Sequence, residues 1–306
     1  MMVNLNEKAL QLFEENAYDE ALDLLEQAVE KGRTVQSLNN LAWMYMYEEE
    51  DVQRAKPLLE EVVALRPQCH FPYNMLGEVA LQEKNWDGAR ELLRKSIAIR
   101  SSGEAIHNLA VADFYTDRFQ QAADGFHSIA EDSDIVSWYE VIARIRNREW
   151  AVAKSILDQW NSESSHYLGA IEAADAYVEM DCWQEARDKF EKEWSDYFIS
   201  PNVISRYAYV LFRLHDLHAC RQVIDRAVAD KRVEIEEEKQ EICDENWTEA
   251  DKADRILELQ EELSGLQQLF AKLQAGYLPV FRFELHHEGG CYLFGCKQHG
   301  HSEWVG

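Results

Sequence analysis

At 306 residues the chain exceeds one ordinary globular core, and its 46% apolar residues are too many for a disordered chain. Against 31 basic residues stand 57 acidic ones, a formal net charge of -26 that disfavours nucleic acid and anionic membrane surfaces as partners. The same field favours a partner protein with a basic segment, bound less well at high salt.

From Met1 to Glu14 the chain already reads as an amphipathic helix rather than a secretion signal, and no later stretch is long and apolar enough to span a bilayer. None of the five prolines falls in the middle of a clear helical period, which favours helix over sheet. Cys69, Cys182, Cys220 and Cys243 are scattered singly at helical positions and read as small buried apolar residues. That is no disulfide framework, so a reducing cytoplasm is the expected location.

Self-similarity organises the next two hundred residues. Ala21, Ala55, Ala89, Ala122, Ala153, Ala186 and Cys220 recur at gaps of 34, 34, 33, 31, 33 and 34. A second small or slim residue precedes each: Ala9, Ala42, Gly77, Ala110, Val141, Ala174 and Ala208, at a distance of 12 except in the second unit, where Glu48-Glu49-Glu50-Asp51 adds one. Helices cross closely only where small side chains let their backbones approach, so each unit needs one such point on both helices. Leu25, Leu59, Leu93, Phe126, Leu157, Phe190 and Ile224 follow four residues on, on the same helix face. A unit this short cannot bury its apolar face alone, so the units must stack around one continuous core.

These seven units resemble the tetratricopeptide repeat family, over residues 2–232. Leu76-Gly77, Ala89, Leu93 and Ile97 lie close to its consensus, and Pro67 closes the second repeat as is common there. Repeat five departs most, with Val141 in place of the small residue and Trp160 late in its second helix. The resemblance implies an all-α fold, a right-handed solenoid of helix pairs whose first helices line a concave groove for a partner peptide or helix. It places Asn6, Asn39, Asn74, His107 and Trp138 in one row of that groove, and Trp43, Glu78 and Tyr209 one turn on. A carboxamide both donates and accepts, so the asparagines suit an extended peptide backbone; the plainer account is that Asn is simply common there. Trp43, Trp138 and Tyr209 read as groove anchors or as core. The matching first-helix positions of repeats one to four, those in the two groove rows, carry no Lys or Arg, which argues against capture of a terminal carboxylate. Arg144, Arg146, Arg206 and Arg213 read as a local basic spot or as a solvated face.

Residues 233–276 hold 13 acidic and 4 basic residues, a net of 4 − 13 = -9. Thr248-x-x-Asp251 reads as an N-cap that splits them into an acidic helical hairpin. Ile256, Leu259, Leu263, Leu266, Phe270 and Leu273 form an apolar stripe on residues 250–274, to be covered either by the solenoid's open end or by a second copy in a homodimer.

Residues 277–306 read as a small β-hairpin, with strands at 277–285 and 291–294 about Gly289-Gly290. Cys291, Cys296, His299 and His301 form a set suited to structural zinc, with His286 or His287 as alternates for His301. The competing account is a flexible tail whose Cys and His bind nothing. The expected function is a non-catalytic protein-interaction scaffold; the alternative is a metal-dependent enzyme or redox sensor built on the Cys and His residues.

Overall fold

A computed structural model describes residues 4–130, 133–160, 168–194, 200–244 and 247–302, so the extreme ends of the expected spans 2–232 and 277–306 lie outside the described residues. The chain divides into two compact units, Met1–Glu131 with Leu285–Gly306, and Asp132–Glu284.

In the first unit α1 (Leu5–Glu14) pairs with α2 (Tyr18–Lys31), α3 (Val35–Tyr47) with α4 (Val52–Ala64), α5 (Phe71–Gln82) with α6 (Trp86–Ile99), and α7 (Gly103–Tyr115) with α8 (Phe119–Ile129). In the second, α9 (Asp134–Arg146) pairs with α10 (Trp150–Leu157), α11 (Ala170–Glu179) with α12 (Trp183–Glu193), and α13 (Pro201–Arg213) with α14 (Leu217–Gln240). There α15 (Glu249–Gln274) packs on α14 and α13. No described helix is long and apolar enough to cross a membrane.

The pairs close where the small residues stand. Ala21, Ala55, Ala89, Ala122, Ala153, Ala186 and Cys220 are fully buried, and so are the large residues four positions on, from Leu25 to Ile224. At Gly77 a Cβ would meet the buried Leu93 side chain at 2.9 Å, so α5 and α6 approach as closely as a glycine allows.

The turn inside each pair has its own signature. Asn16, Glu50, Lys84, Asp117, Arg148, Asp181 and His215 all have positive φ, and each stands five residues before the buried small residue of the following helix. In six of the seven turns the next amide reaches back five residues, as Asn85 N–H does to the Ala80 carbonyl at 2.8 Å. This left-handed C-terminal bond satisfies a carbonyl that the helix end would orphan. In the second repeat Asp51 N–H reaches back six residues, to Tyr45, which absorbs the extra residue of the acidic turn.

Several sequence expectations are corrected. Pro57 lies inside α4, where its missing N–H forgoes the helical bond to the Gln53 carbonyl near the first turns. Only Cys220 of the first four cysteines is buried within a helix; Cys69 and Cys243 lie in loops and Cys182 caps α12. Helix α10 ends at Leu157, so Trp160 follows it and donates its indole N–H to Ser137 Oγ at 3.1 Å. Helix α14 runs unbroken through residues 232 and 233 to Gln240, so the helical hairpin shares its first arm with repeat seven. Thr248 and Asp251 do form a capping box at the start of α15, and Leu259, Leu266 and Leu273 of its stripe are buried. Lys231, also buried, joins the arms through Glu234 of α14 and Glu262 of α15 at 2.6 and 2.8 Å.

The expected β-hairpin is absent: no strand occurs among the described residues, and residues 277–292 run without regular structure. The reason lies in where their backbone groups bond. Along residues 286–294 the carbonyls and amides meet side chains of helices, which leaves no ladder for a second strand to join.

Candidate functional site

In the first unit, the faces of α3, α5 and α7 hold residues 285–294 as an extended segment. Two carboxamides grip it most completely. Asn108 donates Nδ2 to the Glu288 carbonyl at 2.7 Å and accepts the Glu288 amide on Oδ1 at 2.8 Å. Asn40 does the same to Phe294, donating at 3.0 Å and accepting at 2.9 Å. Between them Asn39 donates to the Tyr292 carbonyl at 2.7 Å, and Trp43 Nε1 donates to the Gly290 carbonyl at 3.1 Å. His107 Nε2 lies 2.9 Å from the His286 carbonyl, and the Leu285 amide donates to the Tyr115 hydroxyl at 3.3 Å. None of these bonds reads a side chain of the segment; all of them read its backbone.

Buried side chains hold the segment as well. Leu285, Tyr292, Leu293 and Phe294 are as buried as core residues, and the last three pack with Trp43, Phe71 and Met75 in the core of this unit. The Phe71 ring lies 5.0 Å from that of Phe294 and 5.7 Å from that of Tyr292. Fully burying such a side chain contributes roughly 1.5–3 kcal/mol. Gly289 permits the close passage: a Cβ there would stand 2.8 Å from Tyr47 Cε1. The glycine pair expected to turn a hairpin instead lets the backbone slide past an aromatic ring.

Beneath Tyr292 lies Glu78, fully buried on α5 and hydrogen-bonded by the Tyr47 hydroxyl. Burial raises its pKa to about 8, with Glu104 adding to the rise and the hydroxyls of Tyr47 and Tyr292 opposing it. Burial also drives both tyrosines well above their ordinary value, with the Glu78 charge adding to it. Asn74 is committed to Ser96 on α6, so it braces the helix pair and makes no backbone bond to the segment. Asn6 is half-buried on α1, with an Oδ1 that is shielded from solvent and has no hydrogen-bond partner.

In the second unit, Trp138 meets the Phe281 ring edge-on at 6.2 Å. Tyr209 packs edge-on against Trp183 and accepts from Arg213 at 2.7 Å. Arg206, expected at a basic spot or on a solvated face, is instead 1% exposed. It is bonded to Asp175, lies 3.0 Å from Glu179 and 3.4 Å from the Pro279 carbonyl, and has Phe281 over its guanidinium.

The Cys and His residues of the tail form a group of their own in the first unit. Ligand atoms of Cys291, Cys296 and His299 all lie within 4.8 Å of one another. Cys296 Sγ is 3.3 Å from His299 Nδ1. His301 Nδ1 lies 4.0 Å from Cys291 Sγ and 3.0 Å from the Leu293 carbonyl. His286 and His287 stand apart from this group, the first with its carbonyl at His107 and the second with Nε2 3.2 Å from Gln82.

A family model for the tetratricopeptide repeat matches residues 34–66, the stretch that forms α3 and α4. Residues 34–66 match the tetratricopeptide repeat family, and the paired helices share the fold of its solenoids. A tetratricopeptide repeat protein from Parabacteroides merdae aligns with 85% of the chain and 97% of its own length, at 13% identity and a TM-score of 0.54, a likeness of fold. YrrB, described as having an unusual peptide-binding site, aligns over 67% of the chain and 91% of its own at 12% identity and a TM-score of 0.41. Yeast Tom70 aligns over 89% and 56% at 13% identity and a TM-score of 0.38. No curated protein matches the chain.

Two groove residues escape the family-based row. Asn40 and Asn108 lie one position beyond Asn39 and His107 in the repeats, yet they make the two-point contacts. A signal for them exists: Asn6, Asn40, Asn74 and Asn108 are spaced by 34 throughout, a stricter period than that of the small residues.

Proposed function

We propose that this chain is a non-catalytic interaction scaffold whose first-unit groove binds an extended segment by its backbone, and that its own residues 285–294 act as a resident occupant. The observation that carries this reading is the pair of two-point grips by Asn40 and Asn108, which fix an extended chain at residues six apart. A partner segment entering the groove would replace the resident one, with aromatic side chains at the Tyr292 and Phe294 positions. The net charge of -26 adds a preference for basic residues flanking that segment. Catalysis finds little support, because the polar side chains gathered in the groove, including Tyr47, Glu78 and His107, hold the resident segment or one another.

A synthetic peptide with the sequence of residues 284–296 tests this. Titrated onto the full chain carrying Gly289→Ala, which loosens the resident segment, it should bind more tightly than to the unaltered chain. Adding Asn40→Ala and Asn108→Ala should abolish the gain. Equal, negligible binding to all three chains would overturn the reading.

A further inference from the structure

The residues that follow the groove segment carry a second, independent site. Cys291 and Cys296 bracket Phe294, the last residue gripped by Asn40, and His299 follows on a turn whose flanking Gly295 and Gly300 both take positive φ. That turn is closed by two backbone bonds, His301 N–H to the Cys296 carbonyl at 2.9 Å and Gly300 N–H to the Lys297 carbonyl at 3.2 Å. It brings two sulfurs and an imidazole nitrogen within 4.8 Å of one another. With zinc–sulfur bonds of about 2.3 Å and zinc–nitrogen bonds of about 2.0 Å, a tetrahedron has a sulfur–nitrogen edge of roughly 3.5 Å. The observed Cys296 Sγ to His299 Nδ1 separation of 3.3 Å is close to that edge.

We propose that Cys291, Cys296 and His299 bind a zinc ion, that His301 supplies the fourth ligand, and that the ion staples the end of the groove segment in place. His301 stands beside Cys291, and its ring rests 4.7 Å from that of Phe71 on α5, the ring that also packs on Phe294. To reach the ion its imidazole turns about the bond that now sets Nδ1 against the Leu293 carbonyl. A ligand set of two thiolates and two imidazoles with every position filled by protein makes the site structural. The segment 291–301 has no strand or helix of its own, so a cross-link between its ends restrains the open state most.

The site goes beyond the scaffold reading, since metal uptake is measurable whether or not a partner enters the groove. The full chain, reduced and stripped of metal, is titrated with cobalt(II) alone and then with zinc. One cobalt per chain with intense visible bands and a thiolate charge-transfer band is expected, displaced by one equivalent of zinc. Cys291→Ser and Cys296→Ser should each weaken the charge-transfer band and together remove it, and His299→Ala and His301→Ala should weaken uptake. With zinc at one hundred times its dissociation constant, amide exchange at Phe294 should slow about 100-fold. Weak octahedral absorption, uptake indifferent to Cys296→Ser, or a reduced chain that takes up no cobalt would each overturn the proposal. So would exchange at Phe294 that zinc leaves unchanged.

Discussion

Asn108 and Glu288, 180 residues apart, bond as two paired peptide groups would, with the Asn108 carboxamide both donating to and accepting from the Glu288 backbone at 2.7 and 2.8 Å. A carboxamide has the geometry of a peptide unit, so one side chain does here what a neighbouring strand does in a sheet. Removing it orphans two part-buried backbone groups, at up to about 1–3 kcal/mol each where water does not reach them. Asn108→Ala should therefore raise amide exchange at Glu288 by roughly 5–30-fold, for a loss of one or two kcal/mol. Exchange within α2 and α4 should not change, which separates release of the segment from general unfolding.

Gly289→Ala acts from the other side. The added Cβ would lie 2.8 Å from Tyr47, and Tyr47 is held by its bond to Glu78. The segment must back away, weakening the Trp43 bond to the Gly290 carbonyl next to it. A destabilisation of about 1–3 kcal/mol is expected, the usual range for overpacking. It should appear as faster proteolysis between residues 285 and 294 with the helical circular dichroism unchanged.

The Glu78 carboxyl makes segment binding depend on pH. Its pKa rises from the ordinary 4.5 to about 8 in the closed structure, so between those values the closed state holds a proton that the open state has lost. Stability therefore falls as pH rises across that window, by no more than about 1.4 kcal/mol per pH unit, and levels off above it. Tyr47, Tyr292 and Glu104 are the groups that face it, and both tyrosines stay neutral throughout. Glu78→Gln should flatten the profile of melting temperature between pH 5 and pH 8 and raise its alkaline end.

Lys84 tests the turns. It is exposed, with φ of 57°, a conformation costing an L-residue roughly 1–2 kcal/mol. Lys84→Gly relieves that cost against a smaller loss of chain entropy. A net stabilisation of about 0.5–1 kcal/mol by denaturant midpoint is expected, whereas Lys84→Val should destabilise.

The helix pairs were readable because their packing repeats: a buried alanine every 31 to 34 residues is a local pattern with one physical cause. The destination of residues 285–294 was not, since its partners lie up to 254 residues away and no local pattern links Phe294 to Asn40. The alternation of Phe281, Phe283 and Leu285 suits any extended chain with one face buried, so it reads alike for a hairpin and for a groove occupant. Arg206 misled for a different reason. Its burial depends on Asp175, 31 residues earlier, and a lone arginine in a sequence says nothing of such a partner. The Cys and His spacing was visible locally, and their convergence needs only the turns at Gly295 and Gly300.

The separation of 254 positions from Asn40 to Phe294 also sets a clock. At synthesis rates of about 5–20 residues per second, the groove residues precede their occupant by on the order of tens of seconds. During that interval Asn40, Asn108 and the cleft over Glu78 are available to any other extended chain. On the proposed reading, a newborn chain offers its groove to a client before residues 285–294 can fill it.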